Sequence, residues 1–253
     1  MKVEAVVLAG ARNDGKLKEA SACEFEALIP VGNRPMVEYV TDALEAADSV
    51  KRTVVVGPHE LAAAYEGTPT IDWVEFGSSM VENIQIGIER LDPEGHVLIV
   101  TSDIPLITAE AIDDFVARCR ETNADIYYPI VRQEVNEKAF PGVKRTYVRL
   151  KDGVYTGGNL ALLEPEIVPA CRDMIERAVS MRKKPLKLSR MLGFKFIFKL
   201  LFNRLTLAEI EERVHRILGF RGVGVESPFP EVGIDIDKPE DLELVERALK
   251  QLT

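Results

Sequence analysis

The segment VVLAGARNDGKLKE, from Val6 to Glu19, begins as an apolar run and passes into glycine, small residues and alternating charge. An apolar, β-branched run of this kind predicts a buried strand, and the glycine after it predicts a tight loop. Backbone N–H groups in such a loop can approach an anion closely. The segment therefore predicts the first strand of an α/β sheet with an anion-binding loop at its carboxyl end.

The rest of the first half alternates between strand and helix patterns. RTVVVG, HVLIVTS and ADIYYPI read as strands, and amphipathic segments lie around residues 35–47, 79–91 and 108–121. Strands separated by helices predict βαβ units and a mostly parallel sheet. Ligands of such sheets bind outside the carboxyl ends of the strands. We expect one α/β domain over residues 1–253, with a Rossmann-like three-layer sandwich architecture.

The second half departs from this alternation. GVKRTYVRLKDGVYTGGNLALL has two alternating runs around Lys151-Asp152-Gly153, which predicts a β-hairpin and hence a mixed sheet. VGIDIDKPEDLELVERALKQL predicts a last strand followed by a helix, with Pro239 in the first helical turn.

Composition excludes several classes of function. The chain has 253 residues and a formal net charge of −9, which argues against general affinity for nucleic acid. Cys23, Cys119 and Cys171 are widely spaced, without disulfide or zinc spacing, and indicate reduced thiols in a cytoplasmic protein. No apolar run approaches the length of a membrane span.

Cations follow the first strand. Arg12, Lys16 and Lys18 could clamp a polyphosphate, although a solvated loop is the simpler alternative. The loop is not a Walker motif, because Gly15-Lys16 is followed by Leu17 rather than by a hydroxyl residue that could bind magnesium.

Carboxylates occur in two later segments. VLIVTSDIPLIT puts Asp103 just past an apolar strand, where a carboxylate can hold magnesium or merely cap a turn, and Thr108 is placed to cap the next helix. In VGIDIDKPEDLE, Asp235 and Asp237 alternate with isoleucines, so both carboxylates would project from one face of a strand. Two like charges on one face favour a bound cation, and a solvated edge strand is the alternative.

These motifs together resemble the MobA-like NTP transferases, which are nucleotidyltransferases. That family opens with L-A-G-G, a basic loop and K-x-L-x-x-[VI]-x-G-[KR]-P-M, which LAGARNDGKLK and EALIPVGNRPM resemble. It continues with [SG]-D-x-P and D-[IV]-D-x-P-x-D-L. The resemblance implies magnesium held by Asp103, Asp235 and Asp237. Ala11 replaces the second glycine, and Glu26 stands where the family has a lysine that contacts nucleotide phosphate.

The resemblance also implies where substrates bind. Because Glu26 would repel phosphate, we assign the phosphate role to Arg12, Lys16 and Lys18, with Arg12 as a catalytic candidate. Ser79 and Glu82 have capping-box spacing, and the same segment lies beside the base and ribose in the family. The nucleotide-binding candidates are Leu8, Ala9, Gly10, Ala11, Arg12, Lys16, Lys18, Ser78, Ser79, Asn83 and Ser102. The acceptor-binding candidates are Lys144, Arg145, Gly158 and Asn159, and a basic hairpin face with a bulge is the alternative for them.

The predicted function is magnesium-dependent transfer of a nucleoside monophosphate from an NTP, CTP or GTP, to a small phosphorylated or acidic acceptor, with pyrophosphate released. A metal-dependent glycosyltransferase and a non-catalytic nucleotide sensor are the alternatives.

A basic, aromatic helical insertion is predicted at about 180–222. Within it, residues 182–204 hold eight lysines and arginines and no acid. Three interpretations remain open for this segment: a flap over the acceptor, a helix that packs on the core or on a second copy in a homo-oligomer, and a weak contact with a membrane surface.

Overall fold

The computed structural model of the protein describes residues 2–169, 172 and 194–252. Its strands are β1 Val3–Leu8, β2 Pro30–Val31, β3 Arg34–Pro35, β4 Val50–Gly57, β5 Ile71–Glu75, β6 Val97–Thr101, β7 Ile126–Arg132, β8 Val148–Leu150, β9 Gly153–Gly157, β10 Leu160–Leu163 and β11 Gly222–Glu226. The helices with described bounds are α1 Met36–Ala46, α2 Ala62–Tyr65, α3 Met80–Leu91, α4 Ala109–Cys119, α5 Gln133–Ala139, α6 Phe194–Leu201, α7 Leu207–Leu218 and α8 Pro239–Leu252.

Nine of the described strands form one sheet in the order β5-β4-β1-β6-β10-β7-β9-β8, and β11 pairs with β7. The strands β5, β4, β1 and β6 run parallel to their neighbours, whereas β10 runs antiparallel to both β6 and β7. The hairpin of β8 and β9 closes at Lys151-Asp152, as its sequence predicts. The Rossmann-like α/β fold with a mixed, mostly parallel sheet is therefore confirmed.

Both faces of the central strands are buried, which explains why β1 is apolar without alternation. One face packs against α1 and α4 in a cluster that includes Val7, Val40 and Phe115. The other face packs against α3 in a cluster that includes Val6, Val81 and Leu91. No helix in the described ranges combines the length and the apolarity needed to cross a membrane.

The strands and helices expected in the first half are all present, and α4 begins after Thr108, whose side chain accepts from the N–H of Ala111. The short strand β5 and the helix α5 were not predicted. The expected last strand at residues 234–237 is wrong. These residues belong to no described strand, and the last strand lies upstream at Gly222–Glu226.

Candidate active site

Asp103 lies just beyond β6, at the carboxyl edge of the sheet. The Thr101 hydroxyl donates to its carboxylate over 2.5 Å, and the Asp103 carbonyl accepts from the N–H of Ile236 over 2.9 Å. The second bond ties the β6 turn to the chain more than a hundred residues later. The position of Asp103 is therefore fixed both by its own strand and by the segment that carries the other two carboxylates.

The segment 234–237 keeps the alternation that a strand would have, although it has no ladder partner. Ile234 and Ile236 are buried, Asp235 is partly buried and Asp237 is exposed. Burying the two isoleucines turns both carboxylates toward the same side, which is the side that Asp103 occupies. The prediction of a shared face therefore holds, and only the assignment of a regular strand was wrong.

The three carboxylates converge. One ligand oxygen from each of Asp103, Asp235 and Asp237 lies within 4.8 Å of the others. Desolvation, together with the charges of Asp235 and Asp237, raises the pKa of Asp103 to about 7. Desolvation and the charge of Asp235 also raise the pKa of Asp237. Such mutual repulsion is relieved by a cation, and carboxylate oxygens are the ligands that hard divalent ions prefer.

Arg145 is the cation that the described residues supply to this cluster. Its guanidinium pairs with Asp235, and the two side chains are only 15% and 14% exposed. The Nε atom of Arg145 is buried without a hydrogen-bond partner. Arg145 therefore lies at the carboxylates and has one buried donor left to satisfy, and its role in acceptor binding stays a prediction.

The loop after β1 lies against the segment between β5 and α3. A Cβ atom on Gly10 would lie 2.9 Å from the Phe76 side chain, so glycine is what permits this approach. The Arg12 side chain is 57% exposed, pairs with Glu24 and stacks over Phe25 at 5.1 Å. An exposed pair of this kind contributes little free energy, so an incoming anion can displace Glu24.

Lys16 and Lys18 lie on the short 3₁₀ turn Lys16–Glu19 and are exposed. None of the ion pairs between described residues involves either lysine. Leu17, between them, is fully buried and belongs to the same apolar cluster as Leu106, Ile234 and Ile236. The cluster therefore ties the basic loop to the two segments that carry the carboxylates.

Glu26 lies on the site side of this loop. Its backbone N–H donates to Ala11, and its pKa is raised by desolvation and by the negative charges of Asp237 and Asp14. The carboxylate therefore adds negative charge close to Asp237. The sequence identified Glu26 as a departure, and the structure adds its electrostatic link to the acidic cluster.

The candidate base contacts at the start of α3 are occupied by internal bonds. Ser79 caps the helix by accepting from the N–H of Glu82, as predicted. The Glu82 carboxylate accepts from Ser78 rather than from Ser79, which is a shift of one residue from a capping box. Asn83 accepts from the N–H of Gly77 over 2.6 Å. These bonds fix the loop 77–79, which directly follows Phe76, the residue that packs against Gly10.

Three predicted nucleotide contacts line the end of β1 and β6. Ala9 and Ser102 are buried, and the N–H of Ser102 donates to Leu8 over 3.3 Å. Their side chains are thus packed in the interior, whereas Gly10 and Ala11 are more exposed.

The glycine pair on the acceptor side has a packing reason. A Cβ atom on Gly158 would lie 3.0 Å from the carbonyl oxygen of Val232, and the N–H of Asn159 donates to the same carbonyl over 2.8 Å. Val232 lies two residues before the segment 234–237, so this contact helps to position Asp235. Lys144 is exposed in the loop before β8.

Asn159 also faces the site. Its carbonyl accepts from the N–H of Thr101, whose hydroxyl contacts Asp103, and its Nδ2 atom is buried without a hydrogen-bond partner. Of the acceptor candidates, Arg145 pairs directly with Asp235, and Asn159 is linked to Asp103 through Thr101; each has an unsatisfied buried donor.

Residues 182–193 of the basic segment lie outside the described residues. In the remainder, Phe196 and Leu200 of α6 pack against a cluster that contains Ile130, Leu150 and Leu205. Phe198, Leu201 and Phe202 are exposed. One face of α6 therefore packs on the core. The flap and the membrane contact remain predictions, and co-sedimentation with anionic liposomes tests the membrane contact.

Two site features were not predicted. Thr101 contacts Asp103, and Tyr128, which is 45% exposed, donates to the carbonyl of Gly158 over 2.7 Å. A hydroxyl residue at a strand end could have suggested the first. The second depends on the pairing of β7 with β9 and β10, for which the local sequence carries no signal.

Comparison with known proteins agrees with this geometry. The model of the MobA-like NTP transferase domain matches residues 5–195. A hypothetical transferase from Thermus thermophilus is 38% identical, with a TM-score of 0.83 over 96% of this chain and 100% of that one. CMP:2-keto-3-deoxy-manno-octonic acid synthetase complexed with CTP has the same fold, with a TM-score of 0.63 at 12% identity over 100% of both chains.

Among curated proteins, the bifunctional protein GlmU of Exiguobacterium sibiricum is 29% identical over 131 residues, which are 48% of this chain and 27% of GlmU. The chain thus matches about a quarter of the length of that relative. The family match covers most of the chain and includes both the basic loop and Asp103. The chain belongs to the MobA-like NTP transferase family.

Proposed function

We propose that the protein is a magnesium-dependent nucleotidyltransferase that moves a nucleoside monophosphate from an NTP to a small phosphorylated or acidic acceptor. The observation that carries the proposal is the convergence of Asp103, Asp235 and Asp237 at the carboxyl edge of the sheet. Family membership supports the same chemistry. CTP and GTP are the candidate nucleotides, and a solved structure with this fold contains CTP.

The carboxylates fit a magnesium ion. Three oxygen donors converge within 4.8 Å, and the pKa values of Asp103 and Asp237 are raised partly by the charge of neighbouring carboxylates. When bound, magnesium neutralises negative charge on the phosphates of the NTP. Thr101 and the N–H of Ile236 keep Asp103 oriented for this role.

The basic loop supplies the remaining positive charge for the triphosphate. Arg12, Lys16 and Lys18 are exposed around a loop that Leu17 anchors. Ser78, Ser79 and Asn83 shape the wall on which the base and ribose would rest. Fixed cations and backbone donors stabilise the charge that develops as the pyrophosphate leaves.

On the acceptor side, Arg145 and Asn159 each hold a buried, unsatisfied donor. The Arg145 guanidinium and the Asn159 amide would bind the ionised group of the acceptor. An oxygen of that group forms a bond to the α-phosphorus, and the bond from the α-phosphorus to the bridging oxygen breaks with its electron pair leaving on pyrophosphate. An ionised acceptor oxygen carries no proton, so the reaction requires no protein base.

The proposal is tested by incubating the protein with each of the four NTPs, magnesium and a panel of phosphorylated acceptors, and measuring pyrophosphate. We expect release with one nucleotide, and at least about a hundredfold less release from Asp103→Asn. Tight nucleotide binding without release would indicate a sensor. In a parallel incubation with nucleotide-activated sugars, release of a nucleoside diphosphate would indicate a glycosyltransferase.

A further inference from the structure

A large apolar groove opens on the α3 face of the sheet. It has a volume of about 670 Å³, within the range of sites that enclose small molecules. Its walls come from the start of α3, the strands β7, β9 and β10, and the helix α7; they include Val81, Ile84, Ile130, Ala161 and Leu207. A sugar or polyol would find few polar partners along these walls.

The groove reaches the reaction site. Thr101 and Asn159 line it. The Thr101 hydroxyl contacts Asp103, and the Asn159 side chain carries one of the unsatisfied donors described above. Tyr128 lines this end as well, and its hydroxyl donates to the carbonyl of Gly158. The groove is therefore polar at the carboxylate end and apolar along the rest of its length.

Exposed apolar side chains surround the opening of the groove. Met80, Tyr128 and Val148 are 47%, 45% and 42% exposed, and all three line it. They come from α3, β7 and β8, which are separate in sequence, so the patch is assembled by the fold. An apolar surface assembled around a concave site is typical of ligand recognition.

We propose that the acceptor is an amphiphile, with an ionised phosphate head at Arg145 and Asn159 and a hydrocarbon tail in this groove. This inference rests on the proposed function and names the class of acceptor for it. The head oxygen forms the new bond to the α-phosphorus, pyrophosphate leaves, and the product is a nucleotide joined through a phosphoanhydride to a lipid-like chain. Burial of the tail supplies affinity, and the two donors position the head.

The test measures binding of alkyl phosphates by calorimetry, without NTP or magnesium. Compounds of about two to about twelve carbons are compared below their critical micelle concentrations. We expect affinity to rise by about two- to fourfold for each added methylene until the groove is filled. Affinity that does not change with chain length would overturn the proposal; a groove filled by another part of the chain or by a second copy would give that result.

A substitution inside the groove provides the second arm. Ala161→Trp fills the groove from β10, and Met80→Glu places a charge at its mouth, where the first turn of α3 tolerates an acid. Each should weaken dodecyl phosphate at least about tenfold. Ala64→Trp, on the exposed surface of α2, is the matched control and should bind like the wild type. Equal binding by all four proteins would contradict the proposal.

A separate arm distinguishes failure of this inference from failure of the proposed function. Magnesium-dependent NTP binding is measured in the same proteins and should be the same in all of them. If NTP binds and dodecyl phosphate does not, the acceptor class is wrong. If no NTP binds in the presence of magnesium, the proposed function is wrong, whatever the groove holds.

Discussion

The electrostatics of the candidate site depend on a few single charged residues. Glu26 stands near Asp237 and beside the basic loop, so a bound triphosphate would meet a carboxylate where the family pattern has a lysine. Arg12, Lys16 and Lys18 offset this charge from more exposed positions. A nucleotide bound at the proposed site would therefore meet a local repulsion that one substitution can remove.

Glu26→Gln should tighten the binding of magnesium-NTP by about three- to tenfold, because one negative charge near the triphosphate is removed. Binding is measured by calorimetry at low ionic strength. Glu19→Gln changes an exposed acid in the same loop and serves as the control. Weaker binding by Glu26→Gln would mean that this carboxylate helps to hold the metal or the nucleotide.

The raised pKa of Asp103 predicts a pH dependence of stability without metal. Between its ordinary pKa of 3.8 and about 7, the folded protein holds a proton that the unfolded chain has released. The free energy of unfolding therefore falls as the pH rises through this window, by at most about 4 kcal/mol.

In EDTA, the melting temperature should decline from about pH 5 to about pH 7.5 more steeply for the wild type than for Asp103→Asn. Added magnesium should raise the melting temperature of the wild type mainly at the upper end of this pH range, where the carboxylates are ionised. Parallel pH profiles for the two proteins would show that Asp103 is not the titrating group.

Residue chemistry in the site was readable from the sequence where it followed a local pattern. Asp103 after an apolar strand and Asp235 and Asp237 alternating with isoleucines were identified in this way. The contacts of Arg145 with Asp235 and of Thr101 with Asp103 were not, because pairs that bring distant segments together depend on the register of the whole sheet.

At the scale of elements, one apolar cluster joins the three motifs. Leu17 comes from the basic loop, Leu106 from the turn after Asp103, and Ile234 and Ile236 from the last carboxylate segment. Each motif thus supplies polar residues to the site and a neighbouring apolar side chain to a common anchor. The geometry of the site depends on this packing.

Leu17→Ala should lower the free energy of unfolding by about 2–5 kcal/mol and should also raise the KM for NTP, because the basic loop loses its anchor. Leu91→Ala, equally buried but in the cluster on the α3 face, is the matched control. It should cost similar stability in urea unfolding with an unchanged KM. If both variants have the wild-type KM, the cluster does not position the loop.

The elements themselves were predicted best where periodicity was long. The strands β1, β4, β6 and β7 and the helices α1, α3 and α4 appear where their patterns place them. The strand expected at 234–237 was wrong, because alternation reports which side chains are buried and not whether the backbone has a ladder partner. Here the isoleucines bury against the cluster around Leu17 rather than as part of the sheet.

For the whole molecule, the order of strands explains how distant motifs meet. The strands β1 and β6 are neighbours in the sheet, so the basic loop and Asp103 emerge side by side. The antiparallel β10 lies next to β6. Asn159, just before β10, donates its N–H to the carbonyl of Val232, which lies just before the segment with Asp235 and Asp237. Because the net charge is −9, the anionic substrates of the proposed reaction would depend on these local cations and on a bound metal.

The most direct measurement of the central claim is pyrophosphate release as a function of magnesium concentration, in the wild type, Asp103→Asn, Asp237→Asn and the distant control Asp48→Asn. We predict magnesium-dependent release by the wild type and by Asp48→Asn, and a loss of at least about a hundredfold in the two site variants with folding retained. Release that persists in both site variants, or that is independent of divalent ions, would contradict the assignment of these carboxylates to the reaction.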